Sequence, residues 1–211
     1  MSGSHVFTAD NFHTLCDQVG ERDEDLHNII KLYGYPPMWS RTNTFESLVH
    51  IILEQQVSLA SAKAALEKLR EKLMHITPEN VLLLNGEEMK LCYVSRQKSV
   101  YLKHLAENML NKNIDLDAME SLHDDDIRKI LLSLKGVGHW TIDVYLIFVL
   151  HRADVFPMGD LAAINALKEI KNLPKETLRE ELLPITLKWA PYRTLAAMLL
   201  WHFYLSQRIK K

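Results

Sequence analysis

The sequence predicts an all-α protein, and three observations carry that expectation. Apolar residues recur at three- and four-residue spacing in one segment after another, β-branched alternation is scarce, and Gly, Pro, Ser, Thr, Asp and Asn punctuate the intervals as caps and breaks. With 211 residues, 47% of them apolar, the chain can bury an ample core as one large or two small domains. No uncharged apolar run approaches the roughly 18 residues of a membrane span, and the amino terminus is not basic-then-apolar, so neither a membrane nor secretion is expected. Cys16 and Cys92 are too few for a disulfide framework or a four-cysteine metal site, which suits a reducing, intracellular setting. A net charge of −2 with pI near 6.6 argues against coating nucleic acid by bulk charge, while leaving room for a local site.

Taken in order, residues 1–7 read as a short flexible lead-in, native or left by cloning, and 8–211 as one core. Thr8 is placed to cap a helix over 9–19, and a second helix over 23–33 follows the run Glu21 to Asp25, whose carboxylates suit a helix amino terminus. Gly34-Tyr35-Pro36-Pro37-Met38-Trp39 is not regular helix; it packs as a core plug or lines a pocket with Trp39. Phe45, Leu48, Val49 and Ile52 mark one helix face, and Leu59, Ala62, Leu66, Leu69 and Leu73 the next, with Ser58 as its cap. Between them Gln55-Gln56-Val57 forms a turn rich in amides. Helices are expected over 78–84, 87–93, 95–110 and 123–134, with residues 111–117 as a linker. The chain ends in helices over 175–188, interrupted near Pro184, and over 191–207 with Pro191 in the first turn.

The stretch from Leu131 to Leu167 holds the chemistry. Leu134-Lys135-Gly136-Val137-Gly138 reads apolar-x-Gly-apolar-Gly, and His139-Trp140-Thr141-Ile142 opens a helix nearly all apolar to Leu150. Glycines so placed permit positive φ, and the amides opening the helix form either an ordinary helix-to-helix turn or a phosphate seat. Asp160, behind Pro157 and Gly159 and ahead of Leu161-Ala162-Ala163, is an N-cap or a catalytic carboxylate at a helix mouth. Asp143 and Asp154 are the rival aspartates, the first read as a satisfied group on the buried helix and the second as a turn residue.

Four stretches, ILEQQVSLASA, LKGVGHWT, FPMGDLA with its aspartate 20 residues after Trp140, and KWAPYRTLAAMLLWHF, stand in the order of a known family. The chain resembles the helix-hairpin-helix DNA glycosylases with a Gly/Pro-rich segment and a catalytic aspartate (HhH-GPD), and among them the 3-methyladenine DNA glycosylase II (AlkA-like) branch. The resemblance spans roughly residues 37–204. It implies two helical lobes with an active-site cleft between them, helices 8–33 packing with the carboxy-terminal helices, and a hairpin over 131–150; in departure from some relatives, no amino-terminal β-domain is expected and, with no cysteine after Cys92, no iron–sulfur cluster. It implies Asp160 as catalyst and Trp201 stacking on the base, with Trp140, Trp39 and Tyr145 as further pocket candidates, against core packing for each. Lys135, Gly136, Val137, Gly138, His139 and Thr141 would hold DNA. The carbonyls of Leu132, Leu134 and Val137 would recruit a Na⁺ or K⁺ ion. Gln56 falls at the intercalating position, where bacterial relatives carry leucine; otherwise it is a solvated turn residue.

The activity implied is excision of alkylated purines of the 3-methyladenine and 7-methylguanine type from double-stranded DNA after base flipping, without strand cleavage, since Trp140 stands where bifunctional relatives have a lysine nucleophile. Two features depart from the branch: Val144 replaces a pocket tyrosine, and Gly159 an acidic residue. They keep open a glycosylase for oxidised or deaminated purines and a catalytically silent binder of damaged or bent DNA. A monomer acting in the cytoplasm, nucleoid or nucleus is expected.

Overall fold

The computed structural model describes residues 6–209, Ile209 without its side chain. Its elements are all helices: α1 (Phe12–Gly20), α2 (Glu24–Tyr33), α3 (Phe45–Glu54), α4 (Leu59–Leu73), α5 (Pro78–Leu83), α6 (Gly86–Leu91), α7 (Arg96–Leu110), α8 (Leu116–Met119), α9 (Asp124–Leu132), α10 (His139–Phe148), α11 (Leu161–Ile170), α12 (Arg179–Leu187) and α13 (Arg193–Ile209). Among the described residues the only extended pairing is an isolated bridge between Val6 and Arg152, and no helix is long and apolar enough to cross a membrane. The all-α expectation holds.

Side-chain caps set many of the starts, each removing an orphan amide from the first turn. Thr44 takes the Ser47 N–H at 3.3 Å and Ser58 the Ser61 N–H at 3.1 Å. Asn85 and Glu88 form a reciprocal capping box, each bonding the other's N–H at 3.0 Å. Asp115 caps α8 within the stretch expected to be a bare linker. Other boundaries differ as well. Thr8 opens a turn rather than capping α1: its N–H bonds Asn11 Oδ1 at 2.7 Å and its carbonyl takes the Phe12 N–H at 3.0 Å. α12 starts only at Arg179 and carries Pro184 inside it. α13 starts at Arg193, after Pro191, because the Arg193 N–H bonds Asp154 Oδ1 at 3.3 Å and the Thr194 N–H bonds the Ala153 carbonyl at 2.9 Å. α10 stops at Phe148, short of Leu150.

Two compact units make up the chain, one from Met1–Ser40 with Leu146–Lys211 and the other from Arg41–Tyr145. In the first, α13 packs on α1, α2 and α11, and its segment from Leu195 to Leu200 is wholly buried. Phe7 belongs to this core: it is buried against Phe12, and its N–H bonds the His151 carbonyl at 2.9 Å, which corrects the expectation that it belongs to a lead-in. Residues 1–5 lie outside the described residues. Asp23, the N-cap of α2, also receives Lys171 Nζ at 2.6 Å and the buried Trp189 Nε1 at 2.8 Å.

In the Arg41–Tyr145 unit α3 packs on α4 and α7, with α5 and α6 also against α7. Tyr145 is fully buried here, its hydroxyl donating to Asn43 Oδ1 at 2.8 Å; it is a core residue and not a pocket wall, because the apolar run of α10 turns that face inward. Glu54, closing α3, is gripped by Arg41 through bonds of 3.0 and 2.7 Å. Arg128 of α9 reaches Asp143 of α10 at 2.7 Å, and so ties the two arms of the hairpin.

The turn between those arms is set by one glycine. Gly136 has φ +79°, and a Cβ there would lie 2.1 Å from the ring of Tyr101 on α7. Leu134 and Val137 peg the turn into the core, while Lys135, Gly138 and His139 face out. The apolar-x-Gly-apolar-Gly pattern is thus two pegs about one reversal.

Gly136→Ala combines left-handed strain with overpacking and is expected to destabilise the protein by about 2–4 kcal/mol in urea unfolding. Adding Tyr101→Ala in that background should cost at least about 1 kcal/mol less than Tyr101→Ala alone, as coupled neighbours require; additive costs would refute the contact. A second expectation concerns pH. Burial pushes the Asp143 carboxyl above its ordinary value, outweighing Arg128 and His139, which pull it down. The unfolded chain therefore releases this proton first as pH rises, so Asp143's contribution is full below the ordinary carboxylate pKa and fades above it. The stability of the native protein relative to Asp143→Asn should fall as pH rises from about 4 towards 7, read from urea midpoints; a difference that is flat or grows would overturn this.

Candidate DNA-binding and catalytic residues

Three side chains of α7, spaced three apart and so neighbouring one another along the helix, carry the exposed features of the Arg41–Tyr145 unit. Lys98 Nζ donates to the Leu53 carbonyl at 2.6 Å, where a cation suits the carboxy-terminal end of α3, and desolvation there lowers the lysine's pKa. Tyr101 fills the space under Gly136. His104 Nδ1 accepts the Lys135 N–H at 3.2 Å. The hairpin is therefore fastened from α7, while Gly138 and His139, where α10 starts, are exposed.

The turn joining α3 to α4 sits beside it. Gln55 ends α3, and its Nε2 donates to the Gly136 carbonyl at 2.8 Å and to Thr141 Oγ1 at 2.9 Å. Gln56 follows with φ +58° and an exposed side chain, flanked by the exposed Val57 and Leu59. Positive φ is uncommon outside glycine; it thrusts Gln56 out of the turn before Ser58 starts α4.

Asp160 lies in the other unit. The turn before it is closed by its own N–H on the Pro157 carbonyl at 2.8 Å. Its Oδ1 takes the Ala163 N–H at 2.9 Å and Trp201 Nε1–H at 2.9 Å. The carboxylate is the N-cap of α11, at the positive end of that helix, and is steered by the indole of α13. Trp201 is 9% exposed and packs against Phe148, with ring centroids 5.3 Å apart. The rival aspartates are engaged, Asp143 by Arg128 and Asp154 by Arg193 at 2.7 Å.

The Thr141 side chain is buried and its hydroxyl serves Gln55, because the first turn of α10 rotates it inward, so only its backbone is left for DNA. Val137 is likewise a peg, able to offer only its backbone. Val144 is 2% exposed, a core position. Trp140, in the first turn of α10, and Trp39, in the proline-bound loop, are half-buried. The Leu134 carbonyl already takes the Val137 N–H at 3.2 Å. Carbonyl oxygens at the carboxy-terminal end of a helix are nevertheless the donor chemistry an alkali cation needs. Sequence reasoning missed Gln55, Lys98, Tyr101 and His104. Gln55 was visible as half of the Gln-Gln pair, but its partners lie 81 and 86 residues away.

DNA-3-methyladenine glycosylase 1 of Schizosaccharomyces pombe is 31% identical over 186 residues, which cover 85% of this chain and 82% of that protein. The solved structure of the S. pombe 3-methyladenine DNA glycosylase Mag1 in complex with abasic DNA matches with a TM-score of 0.82 at 29% identity, over 89% of this chain and 95% of that one. A DNA-3-methyladenine glycosidase from Bacillus halodurans matches with a TM-score of 0.77 at 25% identity, over 98% and 95%. A family model described as HhH-GPD superfamily base excision DNA repair protein matches residues 49–191, a span holding the Gln56 turn, the hairpin and Asp160. On that match, this chain belongs to the HhH-GPD superfamily of base excision DNA repair proteins.

Proposed function

We propose that this protein is a monofunctional DNA glycosylase that hydrolyses the N-glycosidic bond of alkylated purines in duplex DNA, working as a monomer within the cell. The observation that carries the reading is the Asp160 carboxylate, held at Oδ1 by the Ala163 amide and the Trp201 indole. The target base must leave the stack before its bond can be reached, and the sugar becomes cation-like as the base departs. A carboxylate fixed in orientation stabilises that charge without reorganising, and it can position and deprotonate the attacking water. Trp201 acts through Asp160 by its N–H, and the part of its ring face left open would be the surface on which the base stacks.

N3- and N7-alkylated purines carry positive charge, which makes them good leaving groups and partners for electron-rich rings, at about 0.5–2 kcal/mol per contact. Trp140 and Trp39, both half-buried, are the other rings for that role. A tryptophan at 140 makes no Schiff base with the sugar, which supports base release without strand cleavage. At the hairpin, the Gly138 and His139 amides and Lys135 would hold phosphate, and the carbonyls of Leu132, Leu134 and Val137 would hold a Na⁺ or K⁺ ion that adds positive charge there. Gln56 would enter the gap left by the extruded nucleotide and bond the orphaned partner base.

Chromatography of bases freed from methylated duplex DNA tests the chemistry. The native protein should release methylated purines and leave the strand intact until alkali is added. Asp160→Asn should keep duplex binding and lose about 10²–10⁴-fold in rate. Binding without release by the native protein would make it a damage binder, and nicking in step with release would overturn the monofunctional assignment. Lys135→Gln should weaken binding to all duplexes alike and flatten the slope of log K against log salt by about 0.9; an unchanged slope would remove Lys135 from the phosphate contacts.

A further inference from the structure

We infer that Gln55 is a positioning residue that locks the α3–α4 turn to the hairpin, so that backbone grip and insertion of Gln56 operate as one device. The inference deepens the glycosylase reading and rests on its assignment of Gln56 to the gap in the stack. A side-chain amide has two N–H donors on one nitrogen, and in Gln55 the acceptors that meet them come from two different parts of the hairpin. One is the Gly136 carbonyl, at the point of chain reversal, 2.8 Å away; the other is Thr141 Oγ1, in the first turn of α10, 2.9 Å away. The second acceptor is buried at 2% exposure, and the first is aimed by a backbone whose φ of +79° is held against Tyr101.

The backbone of Gln55 is fixed as well. Its N–H bonds the Ile52 carbonyl at 3.3 Å, and the last turn of α3 is held by Lys98 on the Leu53 carbonyl at 2.6 Å. Gln56, the next residue, is exposed and takes φ +58°. An inserting side chain on a turn free to swing gives up part of its effect to the ordering of that turn. Gln55 removes this loss by referring the turn to the element that holds the phosphates. Its amide nitrogen is engaged by the hairpin, so its effect belongs to extrusion and not to bond cleavage.

The test uses the full chain with duplexes carrying 2-aminopurine beside a lesion, whose fluorescence reads extrusion. It is combined with single-turnover base release, affinity for undamaged duplex, and thermal unfolding. Gln55→Met keeps length and loses both donors. It should lower the extruded fraction and the release rate together by about tenfold, the loss expected for a pair of neutral hydrogen bonds, with undamaged-duplex affinity and unfolding midpoint near those of the native protein. Thr141→Val, which removes one acceptor, should fall between. Extrusion at the native level in Gln55→Met, or a fall in release that merely follows lowered unfolding temperature and lost duplex affinity, overturns the inference. Gln56→Ala separates the premise: if it extrudes as the native protein does, the assignment of Gln56 is wrong; if it fails while Gln55→Met does not, the coupling alone is wrong.

Discussion

The reversal at Gly136 is the constraint on which the hairpin and the proposed DNA-facing surface depend. The Tyr101 ring occupies the place where a side chain would stand, so the chain can turn there only without a Cβ and only at positive φ. Once that turn is fixed, its consequences are geometric. Leu134 and Val137 fall inward, the Lys135 N–H meets His104, the Gly136 carbonyl meets Gln55, and Gly138 and His139 are left exposed. A single helix supplies the foundation, because Lys98, Tyr101 and His104 lie at three-residue intervals on α7 and reach, in turn, the end of α3, the reversal and the hairpin backbone.

The position of Asp160 dissolves a choice that looked exclusive. As an N-cap it satisfies the Ala163 amide; as a functional carboxylate it must keep a fixed orientation. The cap bond supplies that orientation, and Trp201 adds a second donor to the same oxygen from α13. Capping and the proposed chemistry thus draw on one arrangement, and replacing the carboxylate alters the helix start in either case. The same duality explains why Trp201 is largely buried: a ring that steers a carboxylate by its N–H must itself be held, here by Phe148.

Most of the fold was legible because periodicity and caps are local. Ser58, the Asn85 box and the breaks at Gly34 and Pro157 all sit within a few residues of what they control. The errors fell where a distant partner decides a boundary. α13 begins at Arg193 because Asp154 and Ala153, some forty residues upstream, take its first amides. Phe7 is core because His151 receives its N–H. In the site, residue types named the turn and the carboxylate, yet could not sort inward from outward. Thr141 and Tyr145 stand among hairpin and pocket candidates in sequence but turn into the interior, and Gln55 gained its place only when residues 81 and 86 positions away came to meet it.

A net charge of −2 is compatible with such a surface. Holding a duplex by scattered lysines would need bulk positive charge, and the affinity would fall steeply with salt. The proposed seat, the amides at the start of α10 with the exposed Lys135, would place partial charges where a phosphate oxygen arrives, and would ask little of the rest of the surface. Dipoles of that kind act over short range, so their direction matters more than their number. For that reason the side chains packed against the hairpin, which fix its direction, would matter as much to the proposed grip as the groups exposed on it.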